Sequence, residues 1–337
     1  MRNRVTMADV AREAGVSLMT VSRALNKKDG ISPETRTLVL DIIEKLGYRP
    51  SSIARSLVTQ RTGTIGLVVP DISNPYFSGI AHGVADIANE EGLSVLLCDT
   101  EEEPQRELDS LAVLEEKQVE GLLIAAPRQQ SERLVPLLKR HPNVVVINRI
   151  FNETPEFNAS GYVINDDLAG GKLATRLLIE KGHRVIGFLA GPSTSYGSSR
   201  RHSGYRITLE EAGLCYEPNH IRYCPPTVRG GREAAIQLLE EHPQITALFC
   251  FNDMVAIGAL QAGIQLGRRI PEDLSLVGYD DIPMASWVTP ALTTCSVPFE
   301  EMGRLATKLL IAHICDCADG CESTVLTPDL IIRASTP

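Results

Sequence analysis

Residues 6–26 read TMADVAREAGVSLMTVSRALN, and their punctuation specifies two short helices joined by a tight turn. Thr6 is a natural N-cap with Asp9 three residues on. Met7, Val10, Ala11 and Ala14 then follow at the i, i+3, i+4, i+7 spacing of one apolar helical face. Gly15 suits the left-handed residue that ends a helix, and Ser17 offers a fresh N-cap. A turn of about three residues is the length found in a helix-turn-helix. In the second helix Val21, Ala24 and Leu25 can pack inward, which leaves Leu18, Met19, Ser22, Arg23 and Asn26 on the outer side. A helix-turn-helix presents the start of its second helix to base edges in the major groove, where Arg pairs with guanine and apolar side chains meet a thymine methyl. A small helical hairpin with a solvated face fits the same residues, so the rest of the chain has to decide.

Downstream, Ser32-Pro33-Glu34 gives an N-cap and a first-turn proline, and Val39, Ile42, Ile43 and Leu46 form a helical stripe closed by Gly47. Three helices within residues 1–49 make a compact headpiece. Pro50 interrupts it, and SSIARSLV over 51–58 is a segment of about two helical turns with apolar residues at 53, 54, 57 and 58. A helix that short does not hold alone in water, so residues 50–61 are expected to order only against DNA or a partner chain.

Charge is distributed to match. The 337 residues carry a net −9, yet residues 1–61 hold 11 Lys and Arg against 6 Asp and Glu. The remainder holds 22 against 36, a balance of −14. The basic part is the part with the helix-turn-helix, as attraction to phosphate requires. Apolar residues make up 43% of the chain, enough for real cores, and no run approaches the ~18 residues of a membrane span. The start MRNRVTMADV lacks the apolar stretch of a secretory signal, so a cytoplasmic protein is expected. The eight cysteines are mostly single residues in apolar runs, which suits reduced core thiols. Cys315, Cys317 and Cys321 cluster, but C-x-C-x3-C is not zinc-finger spacing and reads as a surface turn. No metal and no cofactor are expected.

From Thr64 onward short apolar runs (TIGLVVP, LSVLLCD, GLLIAA, NVVVIN, RVIGFLA, ALFCFN, LSLVGYD) alternate with helix-length segments at 76–91, 105–117, 168–181, 200–212, 228–241 and 253–266. That alternation indicates buried parallel sheets. The texture of 64–148 returns over 163–280, so residues 62–337 read as two similar α/β lobes. Ligands bind beyond the carboxyl ends of the strands in such sheets. Residues just past the apolar runs are Asp71, Asn74, Tyr76 and Phe77, then Asn148 with Arg149, Asn252 with Asp253, and Asp280 with Asp281; Arg201 opens a helix after the strand at 184–190. Bidentate hydrogen-bonding groups with a few rings suit a small polar ligand such as a sugar. Asn and Asp also cap helices at these junctions, and Asp167 of the pair Asp166-Asp167 reads as such a cap.

Together, TMADVAREAGVSLMTVSRALN, ISPETRTLVLDIIEKLGYRPSSIARSL, IGLVVPDISNPYF, FNDMVAIGAL and IPEDLSLVGYDDIP followed by PALTT resemble the lactose/galactose repressor family of bacterial transcription regulators over essentially the whole chain. The resemblance implies a helix-turn-helix headpiece (1–49), a hinge helix and linker (50–61) and a periplasmic-binding-protein-like domain (62–337). Its first lobe is expected over 62–161 plus 293–324 and its second over 162–292 plus 325–337. It implies a homodimeric repressor on a near-palindromic operator, in the cytoplasm at the nucleoid, under allosteric control by a small effector. Leu57, with Ala54 beside it, matches the leucine that wedges into the central minor groove. The DNA-contacting set carried over is Thr6, Ser17, Leu18, Met19, Thr20, Ser22, Arg23, Asn26, Ser32, Ala54 and Leu57. The effector set is Asp71, Asn74, Tyr76, Phe77, Arg149, Tyr196, Arg201, Asn252 and Asp280, with Arg201 matched by the R-x-x-G-aromatic run RHSGY. Pro226 stands where relatives often place a stacking ring, and Val297 where many have Gln, so either the pocket holds a different ligand or Tyr196 or Tyr76 supplies the ring. A sugar or sugar derivative is the expected effector, with a nucleobase or a phosphorylated metabolite as alternatives. A solute-binding protein would explain the lobes but not the headpiece. An enzyme is not expected, for the chain has no G-x-S-x-G, P-loop or dinucleotide fingerprint.

Overall fold

The computed structural model describes residues 5–25, 29–48, 61–151, 157, 159–317 and 323–337. The chain divides into two compact units, Met1–Thr62 and Gly63–Pro337.

In the first unit, helices α1 (Met7–Ala14), α2 (Leu18–Leu25) and α3 (Pro33–Leu46) enclose a small core of Val10, Ala11, Val21, Ala24, Val39, Ile42 and Tyr48. The Thr6 hydroxyl accepts from the Asp9 N–H, and the Asp9 carboxylate accepts from the Thr6 N–H at 2.9 Å, a reciprocal capping box. Gly15 and Gly47 end α1 and α3 at φ 65° and 64°, the left-handed region where a side chain is costly. Arg36 on α3 donates to the Ala24 carbonyl at 3.3 Å, which satisfies one of the open carbonyls at the end of α2. The hinge segment, with Ala54 and Leu57, lies outside the described residues, as does Asn26.

In the second unit the chain runs through β1 (Thr64–Val69), α4 (Pro75–Glu90), β2 (Ser94–Asp99), α5 (Pro104–Glu116), β3 (Gly121–Ala125), α6 (Ser131–Leu138), β4 (Val144–Ile147) and β5 (Gly161–Asn165). It continues with α7 (Asp167–Glu180), β6 (Ile186–Ala190), α8 (Tyr196–Glu211), β7 (Ile221–Tyr223), α9 (Val228–Glu241), β8 (Ala247–Cys250), α10 (Asp253–Gln265), β9 (Ser275–Asp280) and α11 (Pro283–Trp287). The last elements are β10 (Thr293–Ser296), α12 (Phe299–Ile314), β11 (Thr324–Leu326) and β12 (Asp329–Ile331). Two six-stranded sheets result, ordered β11-β5-β4-β3-β1-β2 and β12-β10-β9-β8-β6-β7. All pairings are parallel except β10 with β12. The inner strands are apolar and buried on both faces, as β3 (GLLIA) and β9 (SLVGYD) illustrate.

The chain passes between the sheets three times, at 165–167, 296–299 and 326–329. The expected crossings were 161/162, 292/293 and 324/325, so β5 belongs wholly to the first sheet and β10 to the second. Strands buried on both faces carry no period that tells which sheet they join; only the register, such as Thr293 opposite Val277, decides it.

Helices α7 and α8 cross at two glycines. A Cβ on Gly171 would stand 2.3 Å from the Arg201 carbonyl oxygen, and one on Gly204 would stand 2.4 Å from that of Leu168. Only glycine permits this approach, and it brings the start of α7 against the first turns of α8.

Candidate functional site

The headpiece presents its second helix outward. Leu18 is 52% and Met19 64% exposed, Arg23 is exposed, and Thr20 and Ser22 are half-buried. Val21 and Ala24 face the core, so the inward and outward sides fall where helical periodicity puts them. Thr6, Ser17 and Ser32 are N-caps whose hydroxyls accept from the backbone N–H groups of Asp9, Thr20 and Thr35. Each marks a helix N-terminus, where open N–H groups and the helix dipole favour a phosphate.

In the second unit, a cleft of about 440 Å³, part of it open solvent, lies at the carboxyl ends of the strands of both sheets. The residues that turn out of these strands adopt left-handed backbone: Glu102 (φ 60°) after β2, Ala126 (φ 43°) after β3, Asn148 (φ 57°) after β4 and Asp280 (φ 104°) at the end of β9. All four line the cleft. Strained backbone of this kind persists where the surroundings fix it, and it gathers at functional sites.

On the first-lobe side, Asn74 is the N-cap of α4 and accepts from the Tyr76 N–H at 3.1 Å. Pro75 pre-sets the first helical residue, so Tyr76 and Phe77 stand in the first turn, buried and facing the cleft. On the second-lobe side, Ser195 caps α8 and Asn252 caps α10, the latter accepting from Val255 N–H at 2.9 Å. Arg201, 6% exposed, is the charged centre. Its Nε donates to Asp167 Oδ1 at 2.8 Å and its Nη1 to the Phe251 carbonyl at 2.5 Å, while Nη2 lies 3.5 Å from Asp280 Oδ1. The guanidinium also stacks 3.6 Å from the centre of the Tyr279 ring. Burial opposes its charge, but Asp167 and Asp280 outweigh it and hold its pKa above the ordinary value.

Asp280 is 4% exposed, and its Oδ1 has an ion-pair neighbour but no hydrogen-bond donor. Burial pushes this carboxyl up to about 7, against the pull of Arg201 and with the push of Asp167. Asp253 is fully buried and likewise held well above the ordinary carboxylate value by desolvation; it accepts from Thr294 Oγ1 at 2.7 Å and Ile282 N–H at 2.9 Å, a bracing role.

A continuous polar chain joins the lobes. The Asn148 amide donates to the Tyr76 hydroxyl, and Asn148 Oδ1 accepts from the Asn165 N–H at 3.0 Å. The Asn165 amide then donates to Asp167 at 3.1 Å and to the Tyr279 hydroxyl at 2.9 Å. Asn165 ends β5, where the chain first passes from one lobe to the other.

The cleft brings together Asn74, Tyr76, Phe77, Arg201, Asn252 and Asp280 of the expected set. Asp71, Arg149 and Tyr196 are not among its lining residues. The Asp71 carboxylate is turned back to accept from Ser73 N–H and Oγ at 2.8 and 2.6 Å. Arg149 donates to the carbonyls of Pro127 and Gln129 and to Ser131 Oγ, which commits it to the α6 loop. Tyr196 lies on the far side of α8 from Ser198 and Arg201, two and five positions on, so the helical period turns it away. Of the two rings expected, Tyr76 lines the cleft and Tyr196 does not; Phe77 and Phe251 line it as well. Asp167 is not a cap: Asp166 takes that role by accepting from Ala169 N–H at 3.0 Å, and Asp167 pairs with Arg201.

Sequence reasoning missed Glu102 and Arg128, which lie three residues past the ends of β2 and β3, two strands after which no candidate was drawn. It also passed over Asn148 in favour of its neighbour Arg149. Cys315 and Cys317 are exposed, Cys321 lies outside the described residues, and among the described residues no three potential ligands stand together for a metal. Among the described residues no helix is long and apolar enough to cross a membrane.

Two family models match the chain: "Bacterial regulatory proteins, lacI family" over residues 6–51, and "Periplasmic binding proteins and sugar binding domain of LacI family" over residues 62–334. The ribose operon repressor of Halalkalibacterium halodurans is 38% identical over 92% of this chain and 90% of its own length. The transcriptional repressor PurR of Haemophilus influenzae is 36% identical over 98% of each chain. Among solved structures, the lac repressor dimer bound to operator and the anti-inducer ONPF matches with a TM-score of 0.85 at 28% identity, covering 99% of both chains.

Proposed function

The chain belongs to the lacI family of bacterial regulatory proteins and is a DNA-binding transcription regulator rather than an enzyme, and from that premise we propose a homodimeric repressor that binds a near-palindromic operator under control of a small polar effector. Residues 1–49 form the DNA-reading headpiece, 50–61 the hinge, and 62–337 the effector and dimerisation domain. The protein works in the cytoplasm, at the nucleoid. Leu18, Met19, Thr20, Ser22, Arg23 and Asn26 face the bases, and Thr6, Ser17 and Ser32 hold the phosphates from helix N-termini. Ala54 and Leu57 enter the central minor groove. Two apolar side chains at the reading end place more of the specificity on Arg23 and on the second headpiece than a polar-tipped helix would.

Asn74, Phe77, Arg201, Asn252 and Asp280 hold the effector, a sugar or sugar derivative, and Tyr76 positions Asn148 behind them. The observation that carries this reading is the buried Arg201–Asp280 pair in the lining of the cleft where the two lobes meet, with Asp280 Oδ1 lacking a hydrogen-bond donor. A ligand hydroxyl donates to the Asp280 carboxylate while an adjacent hydroxyl accepts from the guanidinium. A ligand that fits one arrangement of the lobes better than the other shifts their equilibrium, and with it the geometry of the paired hinges.

A thermal-shift screen of the full chain against pentoses, hexoses, their phosphate esters and purines tests the site, since a ligand of the folded state alone raises the midpoint. At least one polar compound raises the parent midpoint and fails to raise that of Asp280→Ala. A compound that stabilises both equally takes Asp280 out of the site.

A further inference from the structure

The first-lobe wall of the cleft is an ion pair that belongs to none of the residues assigned above. Arg128 is 5% exposed, and each nitrogen of its guanidinium has a partner inside the protein. Nε donates to Glu102 Oε2 at 2.6 Å, Nη2 to Glu102 Oε1 at 3.0 Å, and Nη1 to the Ala126 carbonyl at 2.9 Å. This is the two-pronged Arg–carboxylate geometry, the strongest form of such a pair. Behind it, the buried Glu107 carboxylate accepts from the N–H groups of Arg128 and Gln129, fixing the loop that carries the pair. Glu102 remains 19% exposed at φ 60°, so the carboxylate edge is the part of the pair that an incoming molecule can touch.

The charges of the lining do not favour an anion. Three carboxyl groups (Glu102, Asp167, Asp280) face the cleft with two guanidiniums (Arg128, Arg201); Glu102 and Asp167 each pair with one guanidinium, and Asp280, its carboxyl pushed up to about 7, adds negative charge as pH rises past that value. Arg149 and Glu107 lie beyond the lining, Arg149 donating to two backbone carbonyls and Ser131 Oγ and Glu107 accepting from two backbone N–H groups. A phosphate would have to break the Glu102–Arg128 pair and leave Glu102 beside a second anion in a partly desolvated space, a cost of several kcal/mol for an orphaned charge. A hydroxyl meets no such cost, because it donates to a carboxylate edge and accepts from the remaining guanidinium hydrogens without breaking either pair.

We propose that the Glu102–Arg128 pair is a specificity-determining element of the effector site, selecting uncharged polyhydroxylated ligands and rejecting their phosphate esters. This rests on the reading of the cleft as an effector site for a small polar molecule, and it narrows the class of that molecule.

Glu102→Gln tests it by removing one negative charge while keeping shape and an acceptor for Arg128. Inorganic phosphate is the first probe, titrated into the full chain with the thermal midpoint and calorimetry as readouts. The parent shows no saturable phosphate binding, whereas Glu102→Gln binds phosphate at least about tenfold more tightly, the scale of one charge at a few ångströms in a partly exposed site. Asn is better tolerated than most residues at positive φ, so Glu102→Asn supplies the same charge change if the Gln variant does not fold. Equal phosphate binding by parent and variants, or saturable binding by the parent, overturns the proposal. The second probe is each neutral pentose and hexose paired with its phosphate ester. Glu102→Gln moves preference toward the ester, whereas a merely structural role would weaken both together, and a parent that responds to the ester as strongly as to the free sugar overturns selection. If no polar compound moves the parent midpoint, the effector-site reading fails, and the phosphate titration still decides whether the pair repels anions.

Discussion

Asp280 is the residue where backbone, charge and ligand chemistry meet. Its φ of 104° is tolerated because β9 on one side and the Asp281–Arg333 ion pair at 2.6 Å on the other fix the turn. Its carboxyl, raised to about 7 by burial, stays protonated in the folded chain across a range where the unfolded chain has lost the proton. Folding therefore binds a proton between the ordinary carboxylate pKa and about 7, and stability falls as pH rises through that window. Asp280→Asn removes this slope. Denaturant unfolding at about pH 5 and pH 7 is expected to show the parent losing on the order of 2 kcal/mol more than the variant. Parallel profiles would contradict a raised carboxyl. Asn252 and Asp280 were legible in the sequence because a polar residue directly follows an apolar strand. Asp167 was misread because a cap and an ion-pair partner occupy the same junction, and only the position of Arg201 on another helix separates the two roles. Glu102 and Arg128 were invisible for a similar reason: their meaning is mutual, and they come from two different loops.

Among the elements, the most legible were the helices that announce their own ends. Thr6 with Gly15 and Ser32 with Gly47 bracket α1 and α3, and the strand texture foretold both sheets. The crossings between lobes were displaced by a few residues, because doubly buried strands look alike whichever sheet they join. The glycine crossing of α7 and α8 escaped the sequence altogether, since an isolated helical glycine says nothing about its neighbour. Yet this crossing sets the distance between Asp167 at the start of α7 and Arg201 in α8. Gly204→Ala would drive a methyl against the Leu168 carbonyl and push the helices apart. The expected result is a loss of about 1–3 kcal/mol of stability together with a weakened effector response. Calorimetric titration with a ligand found in the thermal-shift screen checks it; normal ligand affinity in the variant would show that the crossing does not control the ion pair.

At the scale of the whole molecule, the proposed function couples a cleft between two lobes to a DNA-reading headpiece through residues 50–61. The polar chain from Tyr76 through Asn148 and Asn165 to Asp167 and Tyr279 runs across the first passage between the lobes, and Tyr76, Asn148 and Asp167 within it also line the cleft. On the proposed function the hinge contributes binding rather than sensing. Leu57→Ala is expected to weaken operator binding at least about tenfold, as loss of an apolar wedge between base steps should, while the thermal shift with effector is unchanged. Gel retardation on the operator checks the first part, and an undiminished affinity would remove Leu57 from the interface.

The most direct test of the central claim is operator affinity measured with and without a saturating concentration of the ligand that stabilises the cleft, at fixed salt because phosphate contacts make the constant salt-dependent. The account predicts a change of roughly 5- to 150-fold in the parent, the range of ordinary allosteric coupling, and none in Asp280→Ala, which still binds operator. An operator affinity that stays the same in the parent while its cleft is demonstrably filled would contradict the account.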